Sequence, residues 1–400
     1  MYLLMPTPIS SNTSMSPEEL AQTPINFLEL ATKPEVFDWM VGIRRKLHEN
    51  PELSFEEFET SKIIGAELDQ MNMFYTYPIA VTGIVGYIGT GTCRVGLWEH
   101  KSKIPGKMHA CGHDAHVAIL LAAAKMLQEL RHKLLGAKKL LDVGVLENVE
   151  EIFGLHVSPS YPIGTVAFRP CPLTAGSGRF GAVISGKGGH AAIPQQSIDP
   201  IIAASNIIVN LQHLVSREAN ELLGFAIVTV TKFQGGGAIN VIPDSVSTGG
   251  TFRALLKESF AQLKQRIEEV ITRQASVVRC NATVIFNKNE NPFYPATVNN
   301  KDFRKVAGDI LGFRNLKEMP PLMGSEEFDF FTEAILGYFF FLGMDDKTRG
   351  KFEWENSPYY IVNEDALPHG AALHASLATR YLLENQPKST LHKESSHDEL

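Results

Sequence analysis

The stretch C-G-H-D-A-H occupies residues 111–116 and stands directly before a strongly apolar run at residues 117–130. That run predicts a buried helix that the quoted residues open. Cys111 and His113 are two residues apart, so a thiolate and an imidazole on this loop can both reach one metal ion. A helix N-terminus also favours an anionic thiolate. The alternative is a buried cysteine with unrelated histidines nearby, and the dense cluster favours the metal site.

A further candidate ligand is His156, which lies in the short apolar stretch Ile152 to Val157. This stretch predicts a buried strand. A histidine at the end of a buried strand is as often a core residue with satisfied polar atoms as a metal ligand. The residues alone leave both interpretations open.

Composition limits the class of protein. The chain has 400 residues, of which 44% are hydrophobic, enough to build two domains with a large core. Charged residues make up 20%, the net charge is -7, and like charges form no block, so we expect no nucleic-acid partner. No apolar run approaches the ~20 residues that cross a bilayer, and the four cysteines show no C-x-x-C pairing.

The two ends of the chain point to different compartments. The last four residues, His397 to Leu400, read H-D-E-L, the form of an endoplasmic-reticulum retention signal. The first ten residues carry no basic segment, and Pro6 interrupts their apolar run, so they make a poor signal peptide. A chance match at the C-terminus is the alternative. We expect the lumen of the endoplasmic reticulum, because a retention signal acts only inside the secretory pathway.

The middle of the chain predicts a domain of its own. Its strands are expected at 179–186, 225–233, 245–253 and 281–286, and its helices at 198–215 and around 260–271. The order β-α-β-β-α-β is the ferredoxin-like unit, in which two helices cover one face of an antiparallel sheet. We therefore expect an inserted domain at 178–287 within an α/β domain made of 31–177 and 288–386. Tails are expected at 1–30 and 387–400.

Several motifs follow in a set order. They are C-G-H-D-A-H, G-L-H-V at 154–157, G-K-G-G-H-A-A at 186–192, N-V-I-P at 240–243, G-T-F-R at 250–253, M-G-S-E-E-F at 323–328 and L-P-H-G-A-A-L-H-A-S from Leu367. Together they resemble the dinuclear-metal amidohydrolases that include aminoacylases and hippurate hydrolases. Within that family, the chain looks most like the plant indole-3-acetic-acid–amino-acid hydrolases. The resemblance extends from about Val36 to Glu384.

The resemblance implies a metal-dependent amidohydrolase. Its expected reaction is hydrolysis of the amide bond in N-acyl amino acids, most specifically of indole-3-acetic-acid–amino-acid conjugates, which releases free auxin. Relatives hold two divalent metal ions: the thiolate favours zinc, whereas the plant relatives suggest manganese. Carried over, Cys111 is the bridging thiolate, and His113 and His156 each bind one metal. We expect these three side chains to converge on one spot.

The resemblance also assigns roles within and near the inserted domain, which becomes a ferredoxin-like lid through which two copies pair as a homodimer. His190 would stabilise the developing oxyanion. Asn240 and Arg253 would hold the amide and the carboxylate of the substrate, and Glu326 is expected to bind substrate. Turn geometry is an alternative explanation for His190 and Asn240, and Arg253 could be an ordinary surface strand residue.

The chain departs from the family pattern in three places. An A-D-M-D-A-L-P segment expected after Val95 is absent, and so is the P-A-E-E motif expected after Gly136. That motif carries the general-base glutamate and a metal ligand. The family's H-S-P reads N-S-P here, so Asn356 replaces a metal-binding histidine. Each gap is expected to remove a strand from the catalytic sheet.

Three outcomes stay open on these residues. The first is hydrolysis of auxin conjugates. The second is a catalytically inactive homologue that binds conjugates or pairs with related subunits. The third is an incomplete gene product. Cys111, His113 and His156 remain in all three, but they are too few for two well-held metal ions.

Overall fold

The computed structural model describes most of the chain. The described residues are 2–6, 16–53, 56–79, 81–87, 109, 111–129, 149–169, 173–218, 226–286, 301–326, 328–332, 335–346, 348, 353, 357 and 359–384. The chain divides into two units. Unit 1 consists of Met1–Phe168, Val298–Met319 and Ile335–Leu400, and unit 2 of Arg169–Thr297 and Pro320–Ala334.

Helices and strands are mixed along the chain. The helices are α1 (Pro17–Ala31), α2 (Pro34–Glu49), α3 (Phe58–Gln70), α4 (His113–Glu129), α5 (Pro200–Arg217), α6 (Lys257–Val277), α7 (Lys301–Leu311), α8 (Asp329–Thr332) and α9 (Leu367–Glu384). The strands are β1 (Tyr2–Pro6), β2 (Phe74–Ile79), β3 (Gly83–Tyr87), β4 (Val149–Pro162), β5 (Val166–Phe168), β6 (Gly176–Ser185), β7 (Gly189–His190), β8 (Ala226–Gly235), β9 (Val241–Ile242), β10 (Ser245–Ala254), β11 (Asn281–Phe286), β12 (Leu316–Glu318) and β13 (Leu336–Asp345). Among the described residues, no helix is long and apolar enough to cross a membrane.

Unit 1 is built on a mixed sheet with strand order β1-β4-β13-β5-β12. Strands β4 and β13 run parallel, and their register sets His156 beside Phe341. Both strands are buried over most of their length, as expected for parallel strands covered on two faces. Helices α4 and α9 contribute to the same core, whose largest buried members include Ile119, Met126, Phe153, Phe340 and Leu373.

The prediction that residues 1–30 form a tail was wrong, because they contain β1 and α1. The start of α1 carries a capping box: Ser16 accepts a hydrogen bond from the Glu19 backbone, and the Glu19 carboxylate accepts one from the Ser16 backbone. Phe27 and Ala31 are buried in the unit 1 core. The Ser- and Pro-rich composition of the segment concealed both signals.

Strands β2 and β3 form an antiparallel hairpin. Its turn contains Val81 with a positive φ of 94°. The residues of β2 read F-Y-T-Y-P-I and carry no apolar run that would predict a buried strand.

The predicted loss of catalytic-domain strands concerns the junctions after Val95 and Gly136, and both lie outside the described residues. In the described part, β1 pairs antiparallel with β4, with Leu4 opposite Ile152. The edge of β4 that faces away from β13 therefore carries the strand of residues 2–6.

Unit 2 contains the predicted β-α-β-β-α-β order in β6, α5, β8, β10, α6 and β11. Its antiparallel sheet has the strand order β11-β6-β10-β8. Strand β6 alternates buried and less buried residues, and α5 and α6 bury Leu211, Leu263 and Ile267 in one core with the sheet. The Asp199 side chain caps α5 by accepting a hydrogen bond from the Ile201 backbone N–H. The period-2 and period-3.6 patterns of the sequence thus predicted this unit well.

Unit 2 is larger than the predicted 178–287. It begins at Arg169 and includes Pro320–Ala334. Backbone hydrogen bonds join the two added segments, since Leu322 N–H donates to the Leu173 carbonyl and Ala175 N–H donates to the Gly324 carbonyl. Pairing between segments so far apart in sequence leaves no local pattern.

The core of unit 2 can be tested by truncating Ile267, which is fully buried on α6. The substitution Ile267→Ala is expected to lower the free energy of unfolding by about 2–5 kcal/mol, because it removes buried methyl groups and leaves a cavity. Denaturant unfolding measures the change. The matched control is Ile202→Ala, because Ile202 is 53% exposed on α5. Equal losses in the two variants would contradict the described core.

Candidate metal centre

The loop that carries Cys111 is held by the backbone around Gly112. Gly112 has a φ of +92°, and a Cβ there would lie 2.7 Å from Cγ2 of Val157 and 3.0 Å from Oη of Tyr360. Its carbonyl accepts hydrogen bonds from the backbone N–H groups of the third and fourth residues after it. The Tyr360 hydroxyl donates to the Cys111 carbonyl at 3.4 Å. Only glycine suits this position, because it adopts positive φ without strain and leaves room for both neighbours.

His113 is the first residue of α4, so the helix begins four residues earlier than the predicted apolar run. Cys111 stands just before the helix. The two side chains therefore project from one turn of backbone, as the spacing of two residues predicted. Cys111 is half-buried and His113 is exposed.

His156 approaches the same place from strand β4. Its Nδ1 lies 2.7 Å from the Val157 carbonyl oxygen. A ring nitrogen that donates to a carbonyl carries the hydrogen, which leaves Nε2 with a lone pair. Burial lowers the pKa of His156 to about 4, because a charged imidazolium loses its hydration inside the protein. The ring is therefore neutral near pH 7, the form that binds metal.

The three predicted ligands converge. Ligand atoms of Cys111, His113 and His156 all lie within 4.8 Å of one another, and Cys111 Sγ is 3.3 Å from His156 Nε2. Zinc binds sulfur at about 2.3 Å and nitrogen at about 2.0–2.1 Å, so tetrahedral sulfur and nitrogen ligands lie about 3.5 Å apart. The arrangement fits one divalent ion with a coordination position to spare.

Among the residues that the structure describes, a second ion finds no comparable set of ligands. Among the described residues, these three are the group of histidine, cysteine and carboxylate side chains close enough to hold a metal. The Asn356 position and the two junctions of the predicted gaps lie outside that part of the chain. The donors in the described part of the chain therefore match one site and do not complete a dinuclear pair.

His116 supports the centre without binding to it. Its Nε2 accepts a hydrogen bond from the Val157 backbone at 3.0 Å, and its ring lies 4.5 Å from the ring of His156. This bond ties α4 to β4 beside the ligands. Burial holds the pKa of His116 well below its ordinary value.

Sequence reasoning missed a group of charged residues around Asp114. Arg44 and His48 of α2 both lie against the Asp114 carboxylate, and Glu364 binds Arg44 from the other side. The one available signal was the spacing of four residues between Arg44 and His48, which puts both on the same helical face. Their partners are too distant in sequence for any local pattern to identify them.

The predicted substrate-binding residues lie in unit 2. His190 and Asn240 are exposed and close together: His190 pairs with Val241 across β7 and β9, and the Ala191 N–H donates to the Asn240 carbonyl. The His190 ring accepts from the backbone two residues on, at 3.2 Å. The structure thus brings these two predicted residues together, in a turn-rich segment.

Arg253 forms a second group with the segment that carries Glu326. The Arg253 Nη1 donates to the Met323 carbonyl at 2.7 Å, which fixes the guanidinium. Glu326 is half-buried and stands three residues further along. The interpretation of Arg253 as a plain surface residue does not account for this bond.

Residues 93–380 match the profile of Peptidase family M20/M25/M40. This chain belongs to that family. It is 56% identical to the Arabidopsis thaliana protein named IAA-amino acid hydrolase ILR1-like 4, over 100% of this chain and 97% of that protein. It is 35% identical to a Bacillus subtilis N-acetylcysteine deacetylase, over 85% of this chain and 96% of that protein. The family resemblance seen in the motifs is confirmed.

Two solved structures of similar proteins agree with the fold. A putative aminohydrolase from methicillin-resistant Staphylococcus aureus superposes with a TM-score of 0.74 at 26% identity, over 92% of this chain and 100% of that one. A Bacillus subtilis protein described as a dinuclear metal-binding peptidase of the M20 family superposes with a TM-score of 0.66 at 29% identity, over 88% and 99%. The predicted fold class is confirmed.

The alignment with the Arabidopsis relative also bears on the missing segments of this M20 chain. It spans 434 positions although this chain has 400 residues, so at least 34 aligned positions hold no residue of this chain. A shortfall of this size agrees with the two gaps inferred from the motifs.

The tight loop at Gly112 gives a test. We expect Gly112→Ala to lower the free energy of unfolding by about 1–3 kcal/mol, because alanine strains at positive φ and its Cβ overlaps Val157. Denaturant unfolding of metal-free protein measures this. Gly181→Ala serves as control, since a Cβ at Gly181 meets nothing within 4 Å. Similar stabilities for the two variants would argue against the described loop.

Buried neutral histidines predict the pH dependence of stability. Burial lowers the pKa of His374 on α9 to about 3. Between about pH 6.5 and 3 the unfolded chain binds a proton at this ring that the folded chain does not. Stability should therefore fall with falling pH, by up to about 1.4 kcal/mol per pH unit from this residue.

The substitution His374→Gln should remove this contribution and make the decline shallower, as measured by urea unfolding from pH 8 to pH 4. The control is His213→Gln, which changes an exposed histidine on α5 and should leave the slope as in wild type. A slope unaffected by His374→Gln would show that this ring is not buried in its neutral form.

Proposed function

We propose that this chain hydrolyses the amide bond of N-acyl amino acids, with indole-3-acetic-acid–amino-acid conjugates as substrates and free auxin as product. The observation that carries the proposal is the convergence of Cys111, His113 and His156 in a chain 56% identical to a named IAA-amino acid hydrolase. Three ligands with an open position are the arrangement of a catalytic metal site, whereas structural sites use all positions for protein ligands.

Zinc is the metal that the donors favour. Thiolate and imidazole suit zinc, whereas manganese prefers carboxylate and other oxygen ligands. A bound divalent ion would supply Lewis-acid polarisation of the amide carbonyl. The chain's own part is to present the Nε2 lone pair of His156 and the half-buried sulfur of Cys111 to that ion, and to leave the side of the exposed His113 accessible.

Substrate recognition is assigned to the residues of unit 2. Arg253 donates one of its five N–H groups to the Met323 carbonyl. The planar guanidinium held by this bond has the geometry to bind the carboxylate of an amino acid. Glu326 lies three residues after Met323 in the same segment. His190 and Asn240 offer an imidazole and an amide from one exposed segment, which fits roles at the oxyanion and at the substrate amide.

Pairing of two copies through unit 2 belongs to the same proposal. Strand β8 forms one edge of the unit 2 sheet. Ile227 and Phe233 on this strand are partly exposed although apolar. An edge strand with apolar side chains can pair with a strand of another chain.

Residence in the lumen of the endoplasmic reticulum is also proposed, from the H-D-E-L sequence at residues 397–400. Those residues lie outside the described part of the chain. Retrieval signals of this form are read by a receptor in the secretory pathway.

A second function is metal and conjugate binding without turnover. It is favoured by one observation: in the described part of the chain, no carboxylate joins the three metal ligands. Amide hydrolysis needs a group that takes the proton of the attacking water, and family members use a glutamate of the P-A-E-E motif that this chain lacks.

One experiment separates these functions. Full-length protein is stripped with a chelator, loaded with zinc or manganese, and measured for metal per chain and for acid released from indole-3-acetyl-alanine. We expect about one zinc ion per chain and release of indole-3-acetic acid. Cys111→Ser should lose both, while Cys280→Ser, which changes a buried cysteine of unit 2, should keep both.

Bound metal without acid release would favour the binding function. A folded wild-type protein that holds no metal would contradict both functions, because both depend on the three ligands.

A further inference from the structure

The carboxylate of Asp114 is fully buried directly beside a metal ligand. Asp114 follows His113 in the first turn of α4, and its side chain has no exposed surface. Its Oδ2 lies 2.8 Å from Arg44 Nε and 2.9 Å from His48 Nδ1. The Arg44 contact is an ion pair without the alignment of a hydrogen bond. A buried carboxylate is costly unless it is paired, so two basic partners on α2 account for its presence.

The partners of Asp114 are held in turn. Arg44 Nη1 donates to Glu364 Oε1 at 3.2 Å, and Arg44 Nη2 lies 3.3 Å from His48 Nδ1. Arg45 binds both oxygens of Glu364, through Nε and Nη2, at 2.7 Å each. Glu364 stands in the turn just before α9. The charged cluster therefore joins α2, the start of α4 and the start of α9.

The charged cluster and the contacts of Gly112 both restrain residues 111–114, here called the metal loop. On one side, Val157 and Tyr360 pack against Gly112. On the other, Asp114 is anchored to α2. In sequence, Cys111 directly precedes the first anchored residue, Gly112, and His113 lies between Gly112 and Asp114. The peptide that links His113 to Asp114 transmits any movement of the carboxylate to the ligand.

A stabilising role alone explains the cluster poorly. Burial deprives the Asp114 carboxylate of hydration, and the hydrogen bond from His48 and the ion pair with Arg44 replace the lost contacts with water. Buried ion pairs of this kind often add no stability beyond what apolar side chains of similar volume would give. What they do provide is a fixed geometry, and the group they fix adjoins a ligand.

We propose that Asp114, Arg44 and His48 are positioning residues of the metal centre: they hold the first turn of α4 so that Cys111 and His113 meet His156 at bonding distance. The inference rests on the metal centre of the proposed function. It does not depend on whether the chain turns over substrate.

The test is cobalt titration of full-length protein. Cobalt(II) bound by a thiolate gives a charge-transfer absorption in the near ultraviolet, which reports the Cys111 ligand directly. Asp114→Asn keeps the shape of the side chain and removes its charge. We expect it to weaken cobalt binding about 10–100-fold and to lower or shift the thiolate band, since partners of metal-ligand residues have effects of this size.

A matched control separates positioning from loss of stability. Glu67 on α3 is another buried carboxylate of unit 1, 4% exposed, which accepts a hydrogen bond from Trp39 Nε1 at 3.1 Å. Glu67→Gln also removes a buried charge but touches no residue of the metal loop. Its dissociation constant for cobalt and the intensity of its thiolate absorption band should stay within twofold of the wild-type values, even if its unfolding midpoint falls.

Two further variants cover the case in which Asp114→Asn does not fold. His48→Gln removes one partner of Asp114 and should weaken cobalt binding. Arg44→Lys keeps the charge and should retain more affinity than Arg44→Met. Wild-type binding and spectra in these variants, or equal losses in Glu67→Gln, would overturn the inference alone. Failure of folded wild type to bind cobalt through its thiolate would overturn the metal centre and the inference together.

Discussion

The close approach of the Cys111 sulfur to Nε2 of His156, at 3.3 Å, is the contact on which the candidate site depends. It joins the start of α4 to the middle of β4, two elements of the unit 1 core. A sulfur and a ring nitrogen at this distance suit shared coordination of an ion. The position of His156 is set by its strand and by its bond to the Val157 carbonyl, so the precision of the site rests mainly on the loop before α4.

The surroundings of that loop show how the fold supplies the precision. Gly112 is confined by Val157 and Tyr360, and Asp114 is confined by two basic side chains of α2. The first set of contacts is steric and the second is electrostatic. Together they account for the burial of Arg44 and Asp114 beside the apolar core of unit 1.

The sequence predicted those parts of the molecule whose signals are local. The alternation of β6 and the helical stripes of α5 and α6 identified unit 2, and the spacing of Cys111 and His113 identified the metal loop. Contacts between distant segments left no such signal: Arg44 meets Glu364 across 320 positions of sequence, and Leu173 pairs with Leu322. Helix α1 was missed for another reason, since its capping box stands in a segment whose composition is typical of a tail.

The separation of the ligands along the chain has a consequence for folding. Cys111 and His156 are 45 residues apart, and the stretch between them includes the whole of α4 and the first half of β4. An ion shared by the two would hold the ends of this long loop together in the folded chain, and unfolding would release it. Because the folded form alone assembles the site, resistance to unfolding would rise with the concentration of free metal.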